Sequence, residues 1–175
     1  MKRRALLSLV LAMALLVVTA VPAGATNPTV SITVKAAVVA ITNTEDTWAL
    51  GTVTVSDSIK WGDSDTYSTV TNTGTVNVNV AIQGADIEGG DYDWALAADG
   101  DPGDQIYGLK ATITDTYNIL VKPSAYANLV TNLPHTSSNT VTWSMTFYTP
   151  TAFNANDDGA QKSGTVTLVA SKYEA

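Results

Sequence analysis

The chain contains no cysteine and a single histidine, at position 135. Without cysteine there is no disulfide scaffold, no thiolate metal site and no lipid-modified cysteine, so the folded part must be held by its core alone. One histidine cannot build a zinc centre of the usual composition, and no H-E-x-x-H stretch is present. Basic residues are also scarce, nine Lys and Arg against sixteen Asp and Glu. An excess of acid of this size argues against nucleic acid and against an anionic lipid surface as partners. Outside the first 25 residues no stretch sustains a 3.6-residue apolar period, which argues against an amphipathic helical architecture.

What the sequence does have begins with a leader. Met1-Lys2-Arg3-Arg4 is a basic start, residues 5–21 are apolar apart from Ser8 and Thr19, and Ala23-Gly24-Ala25 fits a small-x-small cleavage site. Residues 1–25 are expected to be a secretory signal peptide and residues 26–175 a single mature domain, with Thr26 as its first residue. Contact with the membrane is then expected only through the leader before cleavage, and the mature protein is expected outside the cell or at its surface. The leader holds three of the nine basic residues and none of the acidic ones, so the mature chain carries six against sixteen, a formal charge of −10. Neither a second apolar span nor an LPxTG-type sorting motif is found near the C-terminus.

The mature chain reads as short strands. Val76, Val78, Val80 and Ile82 alternate with Thr75, Asn77, Asn79 and Ala81, the period of a half-buried strand. Asn72-Thr73-Gly74 before it is a turn signal, and residues 67–70 read as a hairpin partner. Val30, Ile32 and Val34 open a strand whose apolar run continues to Ile41. Trp48 and Leu50 share one face and Val53 and Val55 another, with Gly51 at the parity shift, the mark of a bulge or corner. Further alternations are Tyr92-Trp94-Leu96, residues 106–113, Tyr117-Ile119-Val121, Val141-Trp143-Met145-Phe147 and Val166-Leu168-Ala170. Residues 125–134 read as irregular or briefly helical, with Leu129 and Leu133 plugging one end of the core. Eight or nine strands at short spacing predict an all-β fold, a two-sheet antiparallel β-sandwich of immunoglobulin-like or jelly-roll type.

Candidate chemistry is thin. Gly62-Asp63-Ser64-Asp65 has a hydrolase-like Gly-Asp-Ser, but a nucleophilic serine needs an oriented base, and the residue three before His135 is Asn132 rather than an acid. No catalytic residue is assigned on this basis. Calcium is the candidate cation, because hard cations take six to eight oxygens and Asp91, Asp93, Asp99, Asp101 and Asp104 fall close together in the chain. Residues 154–159 also have the rhythm of the first half of a calcium loop. Neither stretch completes the pattern, since the twelfth position is Lys110 counted from Asp99 and Thr165 counted from Asn154, and solvated loop acids are the alternative. Of four tryptophans, Trp48, Trp94 and Trp143 lie in phase with apolar neighbours, whereas Trp61 does not and is the candidate for stacking on a sugar.

An ordered set of segments carries a resemblance: Trp48-Ala49-Leu50-Gly51-Thr52-Val53, the run from Thr69 to Val80, Phe147-Tyr148-Thr149-Pro150, and the closing run from Gly164 to Ala170. Together with the leader they resemble secreted prokaryotic β-sandwich proteins of the TasA/camelysin group of matrix-fibre subunits. The resemblance covers most of the mature chain, through motifs of low specificity. It implies assembly by strand exchange, with residues 27–41 as donor through Val30, Ile32 and Val34; the alternative is that this segment is the first strand of its own sandwich. The expected function is a non-catalytic secreted structural or cell-surface protein, with itself as partner. The alternative is a carbohydrate-binding or calcium-dependent module, with an extracellular glycan as partner.

Overall fold

The computed structural model describes residues 33–61, 67–113, 117–157 and 159–175. Residues 1–25, expected to be a signal peptide, Val30, Ile32 and the stretch 62–65 lie outside them. Ala36–Ala175 form one compact unit. Lys35 closes a separate unit, of which only residues 33–35 are described.

Ten strands are present among the described residues: β1 (Ile41–Asn43), β2 (Ser58–Lys60), β3 (Ser68–Asn72), β4 (Val78–Gly84), β5 (Ala95–Leu96), β6 (Ile106–Ile113), β7 (Tyr117–Leu120), β8 (Ala127–Leu133), β9 (Thr140–Tyr148) and β10 (Val166–Lys172). They form two sheets in a sandwich-like all-β fold. The larger sheet has the order β1-β3-β9-β6-β5, with β2 also on β9 and β7 also on β6; the smaller has the order β10-β4-β8. Pairing is antiparallel except between β5 and β6, which run parallel.

Each long strand shows a period-two burial that matches its sequence. Val70 on β3 and Trp143, Met145 and Phe147 on β9 face inward from the large sheet, with Tyr107, Leu109 and Ala111 on β6. Val78, Val80 and Ile82 face them from β4, all fully buried. Apart from Met145, Leu109 and Ala111 these residues are β-branched or aromatic, the types that fill a pleated surface best. The core continues through Leu129, Leu133 and Val121.

The expected hairpin at residues 67–82 is not formed. β3 pairs with β1 and β9, whereas β4 pairs with β10 and β8, so the two strands belong to different sheets. The turn between them is an arch that carries the chain from one sheet to the other. Asn72 holds it. Its Nδ2 donates to the Val76 and Leu133 carbonyls at 3.0 Å each, and its Oδ1 accepts from the Gly74 N–H at 2.9 Å. The side chain is buried with every polar atom satisfied. Gly74 is required for close approach rather than for its backbone angle, because a Cβ there would meet the Val38 carbonyl oxygen at 2.3 Å.

Three further expectations change. Residues 33–40 are not in a strand, and the chain joins the large sheet only at Ile41. The run from Trp48 to Val55 has no ladder partner; Gly51 does turn a corner at φ 69°, and Trp48, Leu50 and Val53 pack on the core as a cover. Residues 127–133 are a strand, not a helix. The register against β4 shifts twice, between Val78 and Val80 and between Val80 and Ala81, and Asn132 has φ 57°. A bulge of this kind moves side chains between faces and erases the simple alternation.

Replacing Asn72 by Ala strands two buried carbonyls and one turn N–H. The expected loss is about 2–4 kcal/mol in urea unfolding. A loss below about 1 kcal/mol would show that the arch is not held by this side chain.

Candidate functional site

The five candidate calcium ligands are all placed in the structure, and all are exposed: Asp91, Asp93, Asp99, Asp101 and Asp104. Asp99 uses its Oδ1 to accept the Asp101 N–H at 3.1 Å, a local turn. Among the described residues no group of three or more His, Asp or Glu is arranged to hold a metal ion. The five aspartates therefore share a region of sequence but not a ligand cage of three or more carboxylates.

A different acid, Asp157, sits in the one buried charged cluster of the described residues, and its partner is a lysine. Asp157 ends a short 3-10 turn (Ala155–Asp157) that Asn154 closes, accepting the Asp157 N–H with its carbonyl at 2.9 Å and the Asn156 N–H with its Oδ1 at 3.1 Å. The carboxylate turns inward to Lys162 Nζ at 3.1 Å, and the side chains are only 2% and 7% exposed respectively. Lys162 also donates to the carbonyls of Gly89, at 2.6 Å, and Tyr92. An ammonium has three N–H donors, and here three oxygens take them. The face of Trp94 lies 5.2 Å from the charge, and Trp94 itself stacks on Phe153 with ring centroids 4.9 Å apart. A ring face attracts a cation, and more so once water is excluded. Gly90, at φ 71°, lets the facing loop approach; a Cβ there would sit 2.9 Å from Asp157 Oδ1.

The loop that reads as half of a calcium site thus encloses the protein's own cation. Lys162 gathers two carbonyls and a carboxylate, ligands typical of calcium, while tying residues 89–92 to residues 157–162. Asp157 Oδ2 and Trp94 Nε1 are buried beside this arrangement without a hydrogen-bond partner. Sequence reasoning missed Lys162 because a lysine in a polar loop ordinarily reads as solvated. The available signal was its rarity, one of six basic residues after position 25, placed just behind an acidic loop.

Trp61 does not offer a free ring. It is half-buried, stacked on Trp48 at 5.8 Å with 17° between planes, and its edge contacts Trp143 at 5.4 Å. Trp48 in turn meets Phe147 edge-on at 6.4 Å. The pair lies over the inward face of β9 as an extension of the core, and one face of Trp61 is already used. His135 is exposed, with Nδ1 2.9 Å from Asn77 Oδ1. Burial, with the Asp86 charge adding to it, pushes the Tyr107 phenol above its ordinary range. Its hydroxyl donates to the Ala85 carbonyl and serves to fix the chain leaving β4.

A surface depression of about 340 Å³ is lined by Ser56, Asp57, Ser58, Tyr148, Thr149 and neighbouring loop residues. Asp57 is its one carboxylate, and glycoside hydrolysis needs two. The Thr149 hydroxyl faces the Asp57 backbone, accepting its N–H at 2.6 Å and donating to its carbonyl at 3.1 Å, so it is spent on structure. Val34 is 85% exposed, and in the compact unit Val38 and Val39 are 48% and 40% exposed. Comparison with protein-family models, with curated proteins and with solved structures returns no match to this chain.

Replacing Lys162 by Met leaves Asp157 as an uncompensated buried charge. The expected cost is about 3–5 kcal/mol in urea unfolding, with much of it recovered when Asp157 is also made Leu. Calcium is expected to leave the melting temperature of the unmodified protein unchanged. A calcium-induced rise would show that the aspartates form a site after all.

Proposed function

We propose that this chain is a non-catalytic structural protein of the extracellular matrix or cell surface, exported by its leader and assembling with copies of itself by strand exchange. The observation that carries the reading is the state of the N-terminal arm. A strand of the protein's own sandwich would bury one face of its alternation. Instead the chain enters the sheet only at Ile41, and Val38 and Val39 stay exposed before it.

The arm is anchored at its C-terminal end. Thr75 N–H donates to the Val38 carbonyl at 2.9 Å, Thr73 N–H donates to the Ala40 carbonyl at 3.0 Å, and Val38 N–H donates to Thr75 Oγ1 at 2.9 Å. The sequence before it, with Val30, Ile32 and Val34 in alternation, has the pattern of a donor strand for an open sheet of another copy. Main-chain hydrogen bonds supply affinity in such pairing, and alternate side chains supply register. The acidic surface suits a protein that works in solvent at high local concentration.

The test compares residues 26–175 with residues 36–175 by size-exclusion chromatography and electron microscopy. Filaments or ladders are expected from the longer form and folded protein without filaments from the shorter, which keeps the Val38 and Ala40 anchors. Filaments from neither form would overturn the strand-exchange reading and turn attention to glycan binding.

A further inference from the structure

Sheet edges expose unpaired N–H and C=O groups, and natural proteins blunt them with shortness, bulges, proline or charge. The outer strands of the large sheet are blunted by length, with three residues in β1, three in β2, two in β5 and four in β7. In the small sheet, β8 is blunted by its two register shifts and by Asn132 in the left-handed region. β10 has one of these devices only at its end, the charge of Lys172. It runs seven residues in unbroken register with β4, from Val166 opposite Gly84 to Lys172 opposite Val78, and has no other strand partner among the described residues. Residues 166–171 contain no proline and no charge. Val169, at its centre, is 39% exposed.

We propose that β10 pairs edge to edge, antiparallel, with β10 of a second copy about a two-fold axis at Val169. This joins the two small sheets into one continuous six-stranded sheet. The occupant follows from charge and parity. Two copies of a chain with formal charge −7 repel over most of their surfaces, and this strip carries no acidic residue for them to oppose, its one charge being Lys172 at the end. A two-fold contact requires a self-complementary patch. Centring on Val169 sets Leu168 opposite Ala170, Thr167 opposite Ser171 and Val166 opposite Lys172, so every residue of the strand is paired. Val166, Leu168 and Ala170, which pack on the core, then face the same side as their counterparts. Thr167, Val169 and Ser171 share the outer face. The contact involves residues 36–175 alone and goes beyond the strand-exchange reading: exchange would string subunits together, whereas this contact joins them side to side.

Because the protein has no cysteine, a single introduced thiol reports the contact without background. Val169→Cys and Thr167→Cys are made in both the 26–175 and the 36–175 forms and exposed to oxidised glutathione. The two-fold pairing sets Val169 against itself and separates the two copies of Thr167 by four residues, roughly 13 Å along the strand. Val169→Cys is expected to form disulfide dimers at least tenfold faster than Thr167→Cys in both forms. Val169→Lys is expected to run as a smaller species than the unmodified protein on size exclusion while keeping its melting temperature. Equal rates for the two thiols, or no dimers, overturn the proposal. So does cross-linking confined to the 36–175 form, which would mean that the arm covers β10. None of these outcomes bears on filament formation, which electron microscopy reads separately.

Discussion

The arch between β3 and β4 is the constraint on which the rest of the structure depends. Val70 must face Val78, Val80 and Ile82 across the core, yet only a short polar turn separates the strands that carry them. With no disulfide available, the crossing is fixed by one buried asparagine. Asn72 bonds forward to Val76 and Gly74 on its own turn, and across to Leu133 at the end of β8. Its backbone N–H donates to the Asn139 carbonyl at 2.8 Å, and Asn139 Nδ2 returns a bond to its carbonyl at 3.1 Å. One residue therefore connects both sheets and the loop before β9. The arm uses the same turn, since Val38 and Ala40 bond to Thr75 and Thr73.

Where a single face is buried along a regular strand, the sequence showed it directly. The alternations on β6, β9 and β10 predicted both the strands and their inward residues, because period two has one physical cause there. Alternation reports which way a side chain points but not which strand lies alongside, and so the arch read as a hairpin: Asn72-Thr73-Gly74 suits either turn. β8 was hidden by its bulge, which breaks the period while still delivering Leu129 and Leu133 to the core. The aspartates illustrate the matching limit for sites. Closeness along the chain placed Asp91 through Asp104 in one region, but ligation depends on distances that local sequence does not encode.

Charge is handled in the same economical way. Six basic residues follow position 25, and one of them, Lys162, is sunk beneath Trp94 to hold two loops through oxygen ligands. A calcium ion there would make the fold depend on supply from outside; an ammonium is carried by the chain. The cost is burial of both charges, which only dense hydrogen bonding offsets. Aromatic cover plays a parallel part where strands are absent. Trp48, from a segment without ladder bonds, stacks on Trp61 over the inward face of β9 and so covers the large sheet with a side chain.

The most direct measurement of this account is a set of backbone cross-strand nuclear Overhauser contacts in labelled 36–175. Val70 is expected to contact Val141, and Val80 to contact Ala170, as their pairings require. Contacts linking β3 directly to β4 as adjacent strands, with those two sets missing, would restore the hairpin and contradict the arch on which the sandwich is built.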